Sequence, residues 1–121
     1  MVLSRRCKHA LFTLAIVLTC SQLLFAHAVL MESTPQKNST VKGPDVEIAL
    51  RYNVRIDGGR SRVQLIGPDG AQTTLPLAKQ STLDVLQCKA SGLKPGAYKL
   101  AWHVLANDGH MSKGEVSFTV Q

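Results

Sequence analysis

The chain is poor in cysteine, aromatic residues and acids, and has no long apolar run after residue 26. Of its 3 cysteines, Cys7 and Cys20 lie in the first 26 residues, so Cys88 is the lone thiol of the rest. A single thiol cannot close an internal disulfide, and residues 27–121 must be held together by packing. Aromatics are only 5% of the chain and do not interleave with its scattered lysines and arginines, which argues against a nucleic-acid surface. No stretch after residue 26 keeps a helical apolar period over three turns, which excludes a helical bundle. There is no glycine-rich phosphate loop, no serine nucleophile motif, no internal repeat and no low-complexity segment. Beyond Met1 the only methionines are Met31 and Met111, far apart in sequence, so no cluster of soft thioether ligands exists.

What is present begins with a targeting signature. Arg5, Arg6 and Lys8 form a positive start, residues 10–18 are largely apolar, and Thr19-Cys20-Ser21-Gln22 interrupts before Leu23-Leu24-Phe25-Ala26. The apolar stretch is shorter than the roughly 20 residues of a bilayer span, so residues 1–26 read as a cleaved secretory leader rather than an anchor. Ala26 suits the last position before the cut; Leu24 is larger than the usual residue two places earlier. Val17-Leu18-Thr19-Cys20 is a poor lipoprotein box, and Arg5-Arg6 lacks the apolar pair that a twin-arginine signal wants. Cleavage after Ala26 leaves one domain, residues 27–121. The leader takes three cations and no acid with it, so the formal charge of +6 falls to +3.

The remaining 95 residues alternate in short runs. In 46–52 (VEIALRY) apolar side chains recur at every second position, the period of a half-buried strand. Residues 61–65 repeat it and end in Gly67-Pro68-Asp69-Gly70, a turn. Residues 73–77, 82–89, 98–104 and 115–120 read as further strands. About seven short strands with frequent turns predict an all-β, antiparallel Greek-key sandwich of immunoglobulin-like or cupredoxin-like type. Tyr98, Leu100, Trp102 and Val104 share one strand face, and Val116, Phe118 and Val120 another; both sets belong in the core.

Between the last two strands stands Asn107-Asp108-Gly109-His110. Residues two apart in extended chain point to one side, and Gly109 lets the backbone bend so that Asp108 and His110 converge. Alone, this is an ordinary turn with an exposed histidine. His27 changes its meaning, because cleavage after Ala26 would give that residue a free α-amine beside its imidazole. Such groups ordinarily titrate near 7.7–8 and 6.5, so both release protons readily near neutral pH and close a chelate ring on one metal. With Asp108 and His110 the set is three nitrogens and one oxygen, which suits tetragonal Cu(II), the divalent ion that tops the Irving–Williams order. Zinc is the next candidate, although it prefers a tetrahedron.

At these residues the chain resembles the CopC family of periplasmic copper-resistance proteins. The resemblance runs through His27-Ala28-Val29-Leu30 with Ser33-Thr34-Pro35, Arg60-Ser61-Arg62-Val63, Leu93-Lys94-Pro95-Gly96-Ala97-Tyr98, Trp102 to His110, and Gly114 to Val120. It implies a periplasmic β-sandwich that sequesters or delivers copper, with His27 (amine and ring), Asp108 and His110 as ligands of one Cu(II) per chain. It also implies a link to a CopD-type inner-membrane copper transporter. Lacking a methionine cluster, the chain departs from members that also hold Cu(I), and no dedicated Cu(I) site is expected. A soluble monomer with no nucleic-acid partner and no enzymatic activity completes the expectation.

Other residues have plainer readings. His103 alternates with Trp102 and faces away from the core, in a surface or ligand-orienting role rather than as a ligand. Cys88 lacks the histidines and methionine of a blue-copper site and reads as a buried inert thiol. Glu32 is near enough to His27 in sequence to reach an axial position, but is more simply a solvated acid. Met111 adjoins His110 and is assigned a partly exposed packing role. Arg51, Arg55, Arg60 and Arg62 with Lys99 form either a basic face for an acidic partner or scattered charge. The rival functions are a histidine-brace copper oxidase or monooxygenase and a metal-free interaction sandwich.

Overall fold

A computed structural model describes residues 27–121; the expected leader, residues 1–26, lies outside the described residues. Eight strands form two packed sheets: β1 (Leu30–Thr34), β2 (Ser39–Val41), β3 (Val46–Tyr52), β4 (Ile56–Ile66), β5 (Gln72–Leu75), β6 (Val85–Ala90), β7 (Gly96–Ala106) and β8 (Met111–Val120). One sheet has the order β1-β3-β6 and the other β2-β8-β7-β4-β5. The hairpins β4-β5 and β7-β8 lie in the same sheet, while the intervening β6 crosses to the other before β7 returns beside β4, a Greek-key path. Among the described residues no helix is long and apolar enough to cross a membrane.

The alternation predicted for the core strands holds. Tyr98, Leu100, Trp102 and Val104 of β7 and Val116, Phe118 and Val120 of β8 are all buried, as are Ile48, Leu50 and Tyr52 of β3 facing them. Tyr52 meets Trp102 edge to face at 5.2 Å, and Tyr98 stacks on Phe118 at 5.7 Å, arrangements that favour the ring quadrupoles. The Tyr98 hydroxyl donates to the Lys94 carbonyl at 2.7 Å, tying the chain entering β7 to the core in the manner of a tyrosine corner. Cys88 is buried, and burial pushes its thiol up to about 11, so it is chemically quiet, as the sequence suggested.

The structure has eight strands where the sequence pattern predicted about seven, two of them, β1 and β2, not marked by it, and one pair is not antiparallel. β2 is three residues long and runs parallel to β8, pairing Ser39 with Phe118 and Val41 with Val120. Before it, Asn38 takes a left-handed φ of 62° and donates its N–H to the Ser117 carbonyl, which swings the chain from one sheet to the edge of the other. β1 hides its period because a bulge between Leu30 and Glu32 breaks the alternation. β4 starts five residues before the alternating run, since residues 58–61 bulge out between the pairs Asp57–Leu105 and Arg62–His103. Ser61 closes this bulge, donating its hydroxyl to the Asp57 carbonyl and accepting the Leu105 N–H.

Candidate metal centre

Strand directions bring three separate segments to one end of the sandwich. β1 leaves that end, β3 arrives there at Tyr52, β4 departs from Ile56, and β7 turns into β8 across residues 107–110. The β7-β8 turn is tight: Gly109, at φ 91°, donates to the Ala106 carbonyl, and Ala106 donates to the His110 carbonyl at 2.9 Å. That positive φ suits glycine and turns His110 back toward Asp108.

Asp108 serves His110 with both oxygens. Oδ1 accepts the His110 backbone N–H at 3.1 Å, and Oδ2 lies 3.2 Å from the His110 Nδ1. The backbone hydrogen bond from His110, reinforced by that residue's side chain, holds the Asp108 carboxyl below its ordinary range. With Nδ1 engaged, Nε2 is the His110 nitrogen left for a metal, and Asp108 would have to turn away from Nδ1 to place an oxygen on the same ion. The His27 ring meets the His110 ring edge-on, centroids 6.0 Å apart. A metal–nitrogen bond of about 2.0–2.1 Å puts a ring centroid about 3 Å from the ion, so two imidazoles on one ion stand at most about 6 Å apart. The two rings are at that limit. Among the described residues no three His, Cys, Asp or Glu side chains converge tightly enough to grip an ion as they stand, so a shared ion requires side-chain rotation. His27, Asp108 and His110 are exposed, and exposed rotamers exchange in nanoseconds or less.

The frame beneath is more fixed than the side chains. Ala28 donates its N–H to the Ser112 hydroxyl at 3.1 Å. Val29 donates to the Asn53 side-chain oxygen at 2.7 Å, and Asn53 returns its own N–H to the Val29 carbonyl at 3.0 Å. Asn107 donates to the Arg55 carbonyl at 3.0 Å. Each of the three segments is thereby cross-linked to the next. Sequence reasoning missed Asn53 and Ser112, because a polar residue at a strand end reads as turn chemistry and nothing marks its distant partner. Asn53→Ala and Ser112→Ala are each expected to cost about 1 kcal/mol of stability and to weaken metal binding about tenfold by loosening His27. Thermal unfolding beside a competition titration checks both; unchanged affinity in both variants would show that the frame does not position His27.

The remaining candidates have other surroundings. Glu32 is held by Arg51 at 3.1 Å, which lowers its carboxyl and makes it a paired surface acid. Arg60 pairs with Asp57 and Lys99 with Glu115, so the five cations considered together in the sequence do not make one basic face. Met31 and Met111 are both about half exposed, which for Met111 is in keeping with the partly exposed role assigned to it. His103 is half-buried, its Nδ1 enclosed without a partner, and it looks outward between Arg62 and Lys113.

A small two-sheet sandwich with candidate ligands divided between the first described residues and the last hairpin defines the class. The family model for the CopC domain matches residues 30–121, and the chain belongs to the CopC family. It is 34% identical over 116 residues to protein YobA of Escherichia coli K12, covering 91% of this chain and 93% of that one. It is 30% identical over 105 residues to copper resistance protein C of Xanthomonas campestris pv. juglandis, covering 80% and 82%. Among solved structures, CopC of Methylosinus trichosporium OB3b superposes with a TM-score of 0.73 at 24% identity over 78% of this chain and 94% of that one. PcoC of E. coli, described as methionine-rich, gives 0.65 at 24% over 79% and 100%. These structures share the fold. The family match includes Asp108 and His110 and begins three residues after His27.

Proposed function

We propose that this protein is a periplasmic copper carrier that captures one Cu(II) per chain, with the α-amine and imidazole of His27, the imidazole of His110 and the carboxylate of Asp108 as ligands, and holds it or passes it on. The observation that carries the reading is the approach of the His27 and His110 rings, with the exposed Asp108 carboxylate next to His110 and able to swing from Nδ1 onto a shared ion. Removal of residues 1–26 supplies the amine. Family membership and the copper-resistance name of a 30%-identical relative support copper as the cargo. The name of the copper transport protein CutJ of Bacillus subtilis supports a role in copper transport: it matches 79% of this chain at 23% identity, through a segment making up only 18% of CutJ. A CopD-type membrane protein is the corresponding partner here. With thioethers limited to Met31 and Met111, the carrier has no dedicated Cu(I) site, and a ligand set filled by Asp108 is one for storage and exchange rather than oxygen chemistry.

Capture works by exchange of protons for metal. The amine and both imidazoles bind only when deprotonated, so Cu(II) binding releases protons and weakens as pH falls below neutrality. The Asp108 carboxyl, held below its ordinary range by the hydrogen bonds from His110, adds nothing to this loss. Titrating residues 27–121 with Cu(II) against a moderate chelator from pH 8 to pH 5 is expected to give a stoichiometry of one and a steady fall in affinity. Trp102, the single tryptophan, reports binding by its emission. No binding at pH 8, or turnover of a reductant with oxygen well above free copper, would overturn the proposal.

A further inference from the structure

Cations on the two outer sheet faces are generally matched with acids. Arg51 of β3 faces Glu32 of β1, Lys89 of β6 faces Glu47 of β3, and Lys99 of β7 reaches Glu115 of β8. One row breaks this pattern. On the outer face of the five-stranded sheet, Arg62 of β4, His103 of β7 and Lys113 of β8 stand in register as cross-strand partners. Neither Arg62 nor Lys113 has an acidic partner within ion-pair distance among the described residues, and both side chains are exposed. His103 between them leaves its enclosed Nδ1 without a partner. Strands about 4.8 Å apart put the two full charges about 10 Å from each other across the histidine. At that spacing the two exposed charges repel only weakly through water, and neither is neutralised by an ion pair within the chain.

We propose that the Arg62–His103–Lys113 row is the docking site for an acidic, extended segment of a partner protein. The partner's carboxylates would supply the negative charge that the other sheet-face cations find within the chain. The row lies on the face of a sheet whose backbone N–H groups are engaged between strands rather than turned outward to enclose a small anion, whereas a segment laid across β4, β7 and β8 meets the exposed Arg62 and Lys113 with the partly exposed His103 ring between them. Along β8 the next outward residue from Lys113 is Met111, exposed and paired with Leu105, and His110 follows directly. A segment seated on the row therefore has an apolar contact beside it and ends next to the candidate metal centre. Its use in copper exchange rests on the function proposed above; the docking itself does not.

The test uses metal-free, 15N-labelled protein of residues 27–121, with a hexaglutamate peptide as probe at low salt. Amide shifts are expected to concentrate on residues around Arg62, His103 and Lys113. Raising the salt to about 0.2 M should weaken binding about tenfold, because exposed charges are screened. The double variant Arg62→Glu/Lys113→Glu should lose at least tenfold in affinity while unfolding at the same temperature or higher, and Arg62→Gln/Lys113→Gln should behave likewise. Shifts spread over Lys37, Lys42 and Lys94 instead, or equal binding by both variants, would overturn the proposal. So would inorganic phosphate or anionic phosphatidylglycerol vesicles producing the row's shifts where the peptide does not. Because no copper is present, failure here leaves the copper titration to be judged by itself.

Discussion

Acetylating the α-amine of His27 in the 27–121 chain is expected to weaken Cu(II) binding by about a thousandfold, or about 4 kcal/mol at 1.4 kcal/mol per decade. The change touches one nitrogen. Acetylation removes its charge and lone pair and leaves the imidazole, Asp108 and His110 in place. The loss is large because the amine and ring of one residue bind as a chelate: once one donor is on the metal, the second is already at its side and sacrifices little further freedom. The fold should not notice, since His27 is exposed and the hydrogen bonds of the frame begin at Ala28 and Val29. Equal melting temperatures of the metal-free forms would confirm that. A competition titration measures the affinity, and electron paramagnetic resonance should report one nitrogen fewer around the copper. The precursor that still carries residues 1–26 should resemble the acetylated form, which would make leader removal the step that activates the carrier. Affinity within threefold of the free-amine protein would sink the role assigned to the His27 amine.

How far this site could be read in advance depended on where its information lies. Asp108, Gly109 and His110 are adjacent in sequence, so their spacing alone foretold the Asp108–His110 contact. The approach of His27 to His110 spans the whole domain and follows from strand order, which a periodicity argument does not contain. The buried faces of β3, β7 and β8 were legible because burial on one side imposes alternation. β1 and β2 were not, for opposite reasons: a bulge breaks the period of one, and the other is too short to show any. Asn53 and Ser112 stayed hidden because each acts through a main-chain partner far away in sequence. The unmatched cation row was invisible for the same reason, since register across three strands decides that Arg62, His103 and Lys113 are neighbours.

Gly114→Val should destabilise the domain by about 3 kcal/mol, roughly 15 °C in melting temperature for a domain of this size. On propensity alone the sign would be the opposite, because glycine weakens a strand and valine suits one. Space decides otherwise. Gly114 is the cross-strand partner of Trp102, and a Cβ there would lie 2.7 Å from the indole Cε2 and closer still to Cζ2. No positive φ is involved, so the glycine is required by the ring and not by the backbone. Trp102 cannot yield easily: it is 6% exposed and braced edge to face against Tyr52, itself 1% exposed. Displacing the indole would disturb the contact between the two sheets, and displacing β8 would move Ser112 and His110, which lie on the same strand and its turn. The variant should therefore lose metal affinity together with stability. Thermal unfolding followed by circular dichroism measures the first effect, and pairing Gly114→Val with Trp102→Leu identifies its cause. The double variant should recover part of the loss that the two single changes sum to, a favourable coupling of 1 kcal/mol or more for residues in direct contact. Strict additivity, or a melting temperature for Gly114→Val within 3 °C of the parent, would mean that the indole does not hold this position closed.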